Sequence, residues 1–337
     1  MISQFKSSPH THNGSSVART MSRVCLALLP GMIMYIWFFG WGIVIQCLLA
    51  ISFAVAFEYL LLKIRHRTID LFMKDGSAIV TGLLFALTIS PFTPWWISFI
   101  GIAFAIIFAK HLYGGLGCNP FNPAMAGYVF VLLCFPAQLN LWPASLSIPP
   151  NISEYAMTIF PVGQLDIDVV SGATALNHMK SELGSMTMVS EIKFDPIFGQ
   201  FAGAGWEWVS AGFMLGGVIL LFMGVIGWQL PVSMLAGLLL PCMIFNFMDG
   251  DLYTSPLFHL FGGGTMLCAF FIATDPVTAS ATPFGRLLYG FLIGILVYVI
   301  RTWGAYPDGI AFAILVANAC APLIDYYTRP AVIGEVT

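Results

Sequence analysis

The stretch Val24–Leu62 reads VCLALLPGMIMYIWFFGWGIVIQCLLAISFAVAFEYLLL and carries a single charged residue, Glu58, close to its end. About 20 apolar residues suffice for a helix to cross a bilayer. This run is long enough for two crossings, and Gly40-Trp41-Gly42 is the natural place to divide them. The rest of the chain has the same character: of 337 residues, 58% are hydrophobic and 9% are charged. Soluble domains carry about a quarter charged residues. An ordinary soluble enzyme, a nucleic-acid binder and a disordered scaffold are therefore excluded, and a net charge of −3 offers no field for a polyanion. The chain reads as an integral membrane protein in a lipid bilayer.

Apolar periods predict spans at 24–39, 42–62, 77–90, 95–112 and 122–136. After a polar stretch, further spans follow at 207–226, 230–247, 256–274, 284–300 and 309–325. The expected fold is an all-α polytopic membrane protein of about ten transmembrane helices. It divides into an N-terminal segment 1–23, a first five-helix half 24–136, an outward loop 137–205, a second half 206–325 and a tail 326–337. With the N-terminus inside, Lys6, Arg19, Arg23, Lys63, Arg65, Arg67, Lys74, Lys110, Arg286 and Arg329 fall on one side. Only Lys180, Lys193 and Arg301 fall on the other. That excess places both termini in the cytoplasm and the loop, with Asp166, Asp168 and Asp195, outside. Residues 1–21 are polar, and no cleaved signal peptide is read there.

The third predicted span, between Asp75-Gly76 and Pro91, reaches only about 21 Å against about 30 Å of hydrocarbon. The eighth contains Gly262-Gly263-Gly264. Each is the third helix of its half. Interrupted helices in matching positions mark inverted repeats around a midplane site. Close helix packing at glycine accounts for the same residues equally well.

Seven cysteines, with no CxxC pair, argue against a disulfide framework or an iron–sulfur site made by this chain alone. No histidine pair has the spacing of a haem site, and no Walker loop is present. Glu58 is the most interior acid, a candidate on an ion path or else an interfacial partner for Lys63 or Arg65. Two turn-rich stretches stand out. One is Gly114-Gly115-Leu116-Gly117-Cys118-Asn119-Pro120-Phe121-Asn122-Pro123-Ala124, and the other runs Thr274-Asp275-Pro276-Val277-Thr278. Their glycines and Asx-Pro steps break helices and can present backbone to a ligand, which makes Asn119, Asn122 and Asp275 candidates for an ion path or a cofactor pocket. In the outward loop, Ser171-Gly172-Ala173-Thr174 sets the Thr174 hydroxyl among small neighbours, open to esterification by a phosphate. The same four residues also suit a plain loop or helix start.

Long runs in this chain resemble the D subunits of the Rnf (Rsx) ion-translocating electron transport complexes. More distantly, they resemble the B subunits of sodium-pumping NADH:quinone reductases. The runs include Ser8-Pro9-His10-Thr11-His12-Asn13, Lys110-His111-Leu112-Tyr113-Gly114-Gly115, Asn119-Pro120-Phe121-Asn122-Pro123-Ala124-Met125, Tyr306-Pro307-Asp308-Gly309 and Pro322-Leu323-Ile324-Asp325-Tyr326-Tyr327. The resemblance implies FMN joined by a phosphoester to Thr174, with Ser171 and Ala173 matching the motif and Gly172 at a variable position. It implies two inverted five-helix halves related to urea-transporter-like proteins, in a bacterial inner membrane, with Thr174 periplasmic. Implied partners are a second flavinylated subunit, iron–sulfur subunits and a flavin transferase for maturation. Electron flow between ferredoxin-type carriers and NAD, coupled to Na⁺ or H⁺, and a second, noncovalent flavin such as riboflavin are implied as well. The rival readings are a channel or transporter of the same fold without a redox role, and the quinone reductase subunit, which has a longer N-terminal region.

Overall fold

The computed structural model describes residues 17–144, 149–161 and 170–329. Residues Ser8–Asn13, the acidic Asp166 and Asp168, and the tail from Pro330 lie outside them. The described residues form helices joined by turns, with two-residue strands, Trp142–Pro143 and Ser171–Gly172, paired antiparallel, and one isolated bridge between Phe198 and Gly203.

Among the described residues, five helices are long and apolar enough to cross a membrane: Val17–Phe39, Gly42–Ile64, Gln229–Met248, Pro283–Trp303 and Ile310–Tyr327. Shorter apolar helices occupy Ser77–Thr88, Trp95–His111, Pro123–Cys134 and Trp206–Phe222. Their outer faces are those of a protein solvated by lipid. On the first helix, Leu26, Leu29, Ile33 and Trp37 form an exposed stripe at helical spacing, while Ala27, Leu28, Gly31, Tyr35 and Phe39 are buried. Water would not tolerate such stripes on so many helices.

Helix contacts are made at small residues. The first helix crosses Trp206–Phe222 with Gly212 against the Gly31 backbone and Gly216 against the Ala27 carbonyl. Gln229–Met248 packs on Pro283–Trp303, where Gly237 lies against the Phe291 carbonyl and Gly294 against the Met234 carbonyl. In lipid no hydrophobic force pulls helices together, so backbone proximity and dispersion must hold them.

Three details depart from the expectations. The first helix is already formed at Val17, where the described residues start, so Arg19 and Arg23 continue it beyond the apolar run predicted from 24. The predicted span 95–112 changes from α to π winding at Phe104 and ends at His111. The expected pairing of Glu58 with Lys63 or Arg65 is corrected. Glu58 is buried and receives Lys110 Nζ at 2.8 Å, with His111 Nε2 at 3.1 Å. It lies on the buried face of Gly42–Ile64, and the π-wound turn of the neighbouring helix carries Lys110 and His111 to it. Lys63 and Arg65 lie at the open end, where Arg65 Nη1 instead donates to the His111 carbonyl at 2.6 Å.

The predicted span 256–274 is broken where its glycines stand. Pro256–Phe261 stops, Gly263 takes a left-handed φ of 60°, and Thr265–Leu267 runs into a π-wound Cys268–Ile272. A broken helix inside a membrane protein needs partners for its freed carbonyls. Ser210 Oγ donates to the Phe261 carbonyl at 2.8 Å, Thr265 Oγ1 to those of His259 and Gly262, and Arg301 to the same two. The short third helix ends comparably. Buried Gln46 donates to the Thr93 carbonyl at 2.5 Å and accepts from Ser98 Oγ at 2.9 Å.

Candidate functional site

Thr174 sits at the N-cap of helix Ala175–Gly184, and its Oγ1 accepts the Asn177 N–H at 3.2 Å. A cap residue keeps extended backbone while its side chain turns back on the helix. That conformation leaves the Thr174 side chain half-buried beside the exposed Ala173. The two-residue strand just before it pairs Gly172 with Trp142 and Ser171 with Pro143. There a Cβ on Gly172 would come within 3.2 Å of Ala144 Cβ, so a small residue suits the position.

This segment joins the bundle at the end opposite the basic cluster. Tyr155, from the same stretch between the two groups of helices, covers Gly42 at the start of Gly42–Ile64 and donates its hydroxyl to the Phe39 carbonyl. Arg65 lies at the other end of that helix. Burial raises the Tyr155 phenol above its ordinary value, which keeps it a donor. Lys180, two turns beyond Thr174, donates to the carbonyls of Ile300 (3.3 Å), Arg301 (3.0 Å) and Tyr306 (2.9 Å). Desolvation lowers its ammonium from the ordinary value. The first two bonds cap the C-terminal end of Pro283–Trp303, the third reaches the turn beyond it, and together they strap the Thr174 helix to the bundle.

Thr174 lines an outer cavity of about 140 Å³. Its other walls are the end of the third helix at Thr88, the glycine break Gly262–Gly264, the indoles of Trp142 and Trp206, and the turn Tyr306–Asp308. Trp206 packs edge-on to both Trp142 (5.4 Å between centroids) and Tyr35 (5.4 Å). Tyr35 is buried, and its hydroxyl has no hydrogen-bond partner among the described residues.

An inner cavity of about 160 Å³ lies toward the basic end. It gathers three of the four remaining candidates: Asn119, Asn122 and Asp275 all line it. Asn122 Nδ2 is 3.5 Å from Asp275 Oδ2, and the Asn122 backbone N–H donates to Asn318 Oδ1 at 3.0 Å. Asp275 further accepts from Thr278 Oγ1 and the Val277 N–H. Asn119 donates to the Phe121 carbonyl, but its own buried Oδ1 has no partner among the described residues. Glu58 stands behind the wall and reaches the cavity through Lys110, which also donates to Ser77 Oγ at 2.9 Å. Among the described residues no group of His, Cys, Asp and Glu is placed to hold a metal ion.

Sequence reasoning did not single out Lys110, Tyr35, Trp142 or Asp308 as site residues. A lysine inside the predicted limits of a span was the available signal for Lys110. For the other three no local pattern distinguishes a cavity wall from packing.

The whole chain is similar to proteins of one family. Residues 4–334 match the NQR2, RnfD, RnfE family. The D subunit of the ion-translocating oxidoreductase complex of Aliivibrio salmonicida (strain LFI1238) is 50% identical over 342 aligned positions, covering 98% of this chain and 97% of its own. Proteins of the same name from Vibrio cholerae (strain O395) and Escherichia fergusonii are each 47% identical, covering 98% and 99% of this chain and the same shares of their own.

Proposed function

The chain belongs to the NQR2, RnfD, RnfE family, and from that premise we propose that Thr174 is the attachment point of a covalent FMN in a membrane subunit of an ion-translocating oxidoreductase complex. The observation that carries the reading is the place of Thr174. Its hydroxyl caps a helix, half-buried, at the wall of an aromatic-lined cavity. The residues present suit a flavin. The small, exposed Ala173 leaves room beside the Thr174 hydroxyl for the phosphoester. The rings of Trp142 and Trp206 offer apolar faces, and the Tyr35 hydroxyl is a buried polar atom still in need of a partner. When bound, a flavin supplies one- and two-electron chemistry, and the protein supplies position and field. Lys180 fixes the Thr174 helix against the bundle, and the indoles give the cavity an apolar wall.

The inner cavity suits a second, noncovalent flavin such as riboflavin. Asn119 Oδ1 is free to accept, and the Asp275 carboxylate and the Asn122 amide stand beside it. The same groups suit a hydrated Na⁺ or proton path, with the Glu58–Lys110–His111 cluster as its charged floor. Ten spans in two inverted halves are supported by the way helices pair. The first apolar helix packs on Trp206–Phe222, and Pro123–Cys134 packs on Ile310–Tyr327. Gly42–Ile64 meets Trp95–Ala103 as Gln229–Met248 meets Pro283–Trp303. The clustering of Lys and Arg at one end supports a periplasmic Thr174 and cytoplasmic termini in a bacterial inner membrane. Partners of this reading, as the resemblance to Rnf D subunits implies, are a second flavinylated subunit and iron–sulfur subunits, and the relatives' name as one subunit of a complex supports such partners.

Intact-mass analysis of the chain, purified with its complex and expressed with a flavin transferase, tests the attachment. An added FMN mass that vanishes in Thr174→Ala is expected. An unmodified chain beside a flavinylated partner subunit would sink the reading.

A further inference from the structure

The turn Tyr306–Asp308 puts one charged side chain on the wall of the outer cavity, and among the described residues that line it Asp308 is alone in this. Its carboxylate serves three partners, one of them the Ile310 N–H, which Oδ1 accepts at 3.4 Å. Oδ1 accepts from Arg301 Nε at 3.3 Å and Nη2 at 3.1 Å, and Oδ2 accepts the Gly264 N–H at 3.1 Å. Arg301 is almost fully buried, with 1% of its side chain exposed, whereas 30% of the Asp308 side chain is exposed. The ion pair is thus a dipole set at the cavity wall, with its positive end sunk among the carbonyls of His259 and Gly262 and its negative end at the cavity. A charge is felt more strongly in a recess with apolar walls than in bulk water, and indoles, leucines and glycines make up much of this wall.

Resting on the reading of Thr174 as the flavin attachment site, we propose that Asp308, held by Arg301, is a positioning residue that sets the redox equilibrium of the flavin on Thr174. Reduction of a flavin adds two electrons and takes at least one proton from solvent, so the reduced ring carries negative charge unless a second proton follows. A carboxylate facing the ring opposes that charge and favours the oxidised form. The same carboxylate accepts the N–H of Gly264 in the broken helix, which fixes its place on the wall.

The test uses the assembled complex, with this chain expressed beside its partner subunits and a flavin transferase. Reduction by dithionite in the presence of mediators is followed spectroscopically, and the Thr174→Ala complex serves as the blank that removes the other flavins. In Asp308→Asn the FMN mass should remain, and at a fixed potential the ratio of reduced to oxidised covalent flavin should rise about tenfold. Asp308→Glu, which keeps the charge, should stay within about twofold of the parent. An FMN-loaded Asp308→Asn that titrates like the parent overturns the proposal. Should Asp308→Asn fail to assemble, Asn140→Asp decides. Asn140 is an exposed residue of the same wall, and an added carboxylate there should lower the ratio several-fold, whereas no change overturns the proposal. A parent chain that carries no FMN mass is a different result, and it removes the attachment reading itself.

Discussion

The two cavities are nearly equal in volume, about 140 Å³ and 160 Å³, and differ in the charged and amide groups they carry. The outer one is walled by indoles and glycines, with a single carboxylate among its described residues. The inner one collects an ammonium, a carboxylate and two amides: Lys110, Asp275, Asn119 and Asn122. Their construction differs in the same sense. Thr174 reaches the outer cavity on a segment inserted between the two groups of helices, strapped there by Lys180 and a two-residue strand. The inner cavity is made by the helix-breaking turns at Asn119-Pro120 and Asp275-Pro276, which meet through Asn122. On the proposed attachment at Thr174, a covalent tether removes the need for many directional contacts, since the cost of bringing the group to its place is met once, at attachment. A ligand held without a tether must be held by hydrogen bonds, and the inner cavity has the groups to make them.

If that contrast is right, each cavity can be emptied alone. Thr174→Ala should abolish the covalent FMN mass entirely and leave any acid-extractable, noncovalent flavin at parental stoichiometry. Conversely, Asn119→Leu should lower the noncovalent flavin recovered from the purified complex by about tenfold or more, since a buried acceptor and its space are both lost, while the covalent mass persists. Loss of both flavins in either variant would show the two cavities to be one unit.

The charged floor of the inner cavity should be the more fragile of the two regions. Glu58→Gln leaves the Lys110 ammonium buried without its carboxylate, which should destabilise the chain by about 3–5 kcal/mol. The double change Glu58→Gln with Lys110→Met should recover most of that loss. Thermal unfolding of the detergent-solubilised complex, followed by tryptophan fluorescence, measures both. A smaller effect is expected where helices merely touch. A Cβ at Gly216 would collide with the Ala27 carbonyl, so Gly216→Ala should cost about 1–3 kcal/mol and leave both flavins in place. Lys180→Met, at the outer strap, should cost about 1 kcal/mol and alter the outer cavity only.

Much of this architecture was legible in the residues. The short third helix between Asp75-Gly76 and Pro91 is observed as Ser77–Thr88, because a left-handed Gly76 opens it and the Pro91 turn closes it. The break at Gly262-Gly263-Gly264 is where the glycines announced it. Thr174 stands at a helix start, as the small-residue motif allowed. For Glu58, nearness in sequence favours Lys63 and Arg65, and the structure chooses otherwise. The true partners are 52 and 53 residues away, on a helix whose π winding leaves no trace in hydrophobic periodicity.

Composition and apolar run length alone determined that the chain lives in a bilayer, because lipid admits backbone only where its polar groups are satisfied, and long apolar helices satisfy them. Turn chemistry determined where helices stop, because the conformations of glycine and proline are set by their own covalent structure. What only the tertiary structure decided is company. It set Asn122 against Asp275, Lys110 against Glu58, and Asp308 on the same cavity wall as Thr174. Such contacts join residues far apart in the chain, and helix packing at glycines selects them. No local pattern of side chains encodes which helix will lie beside which.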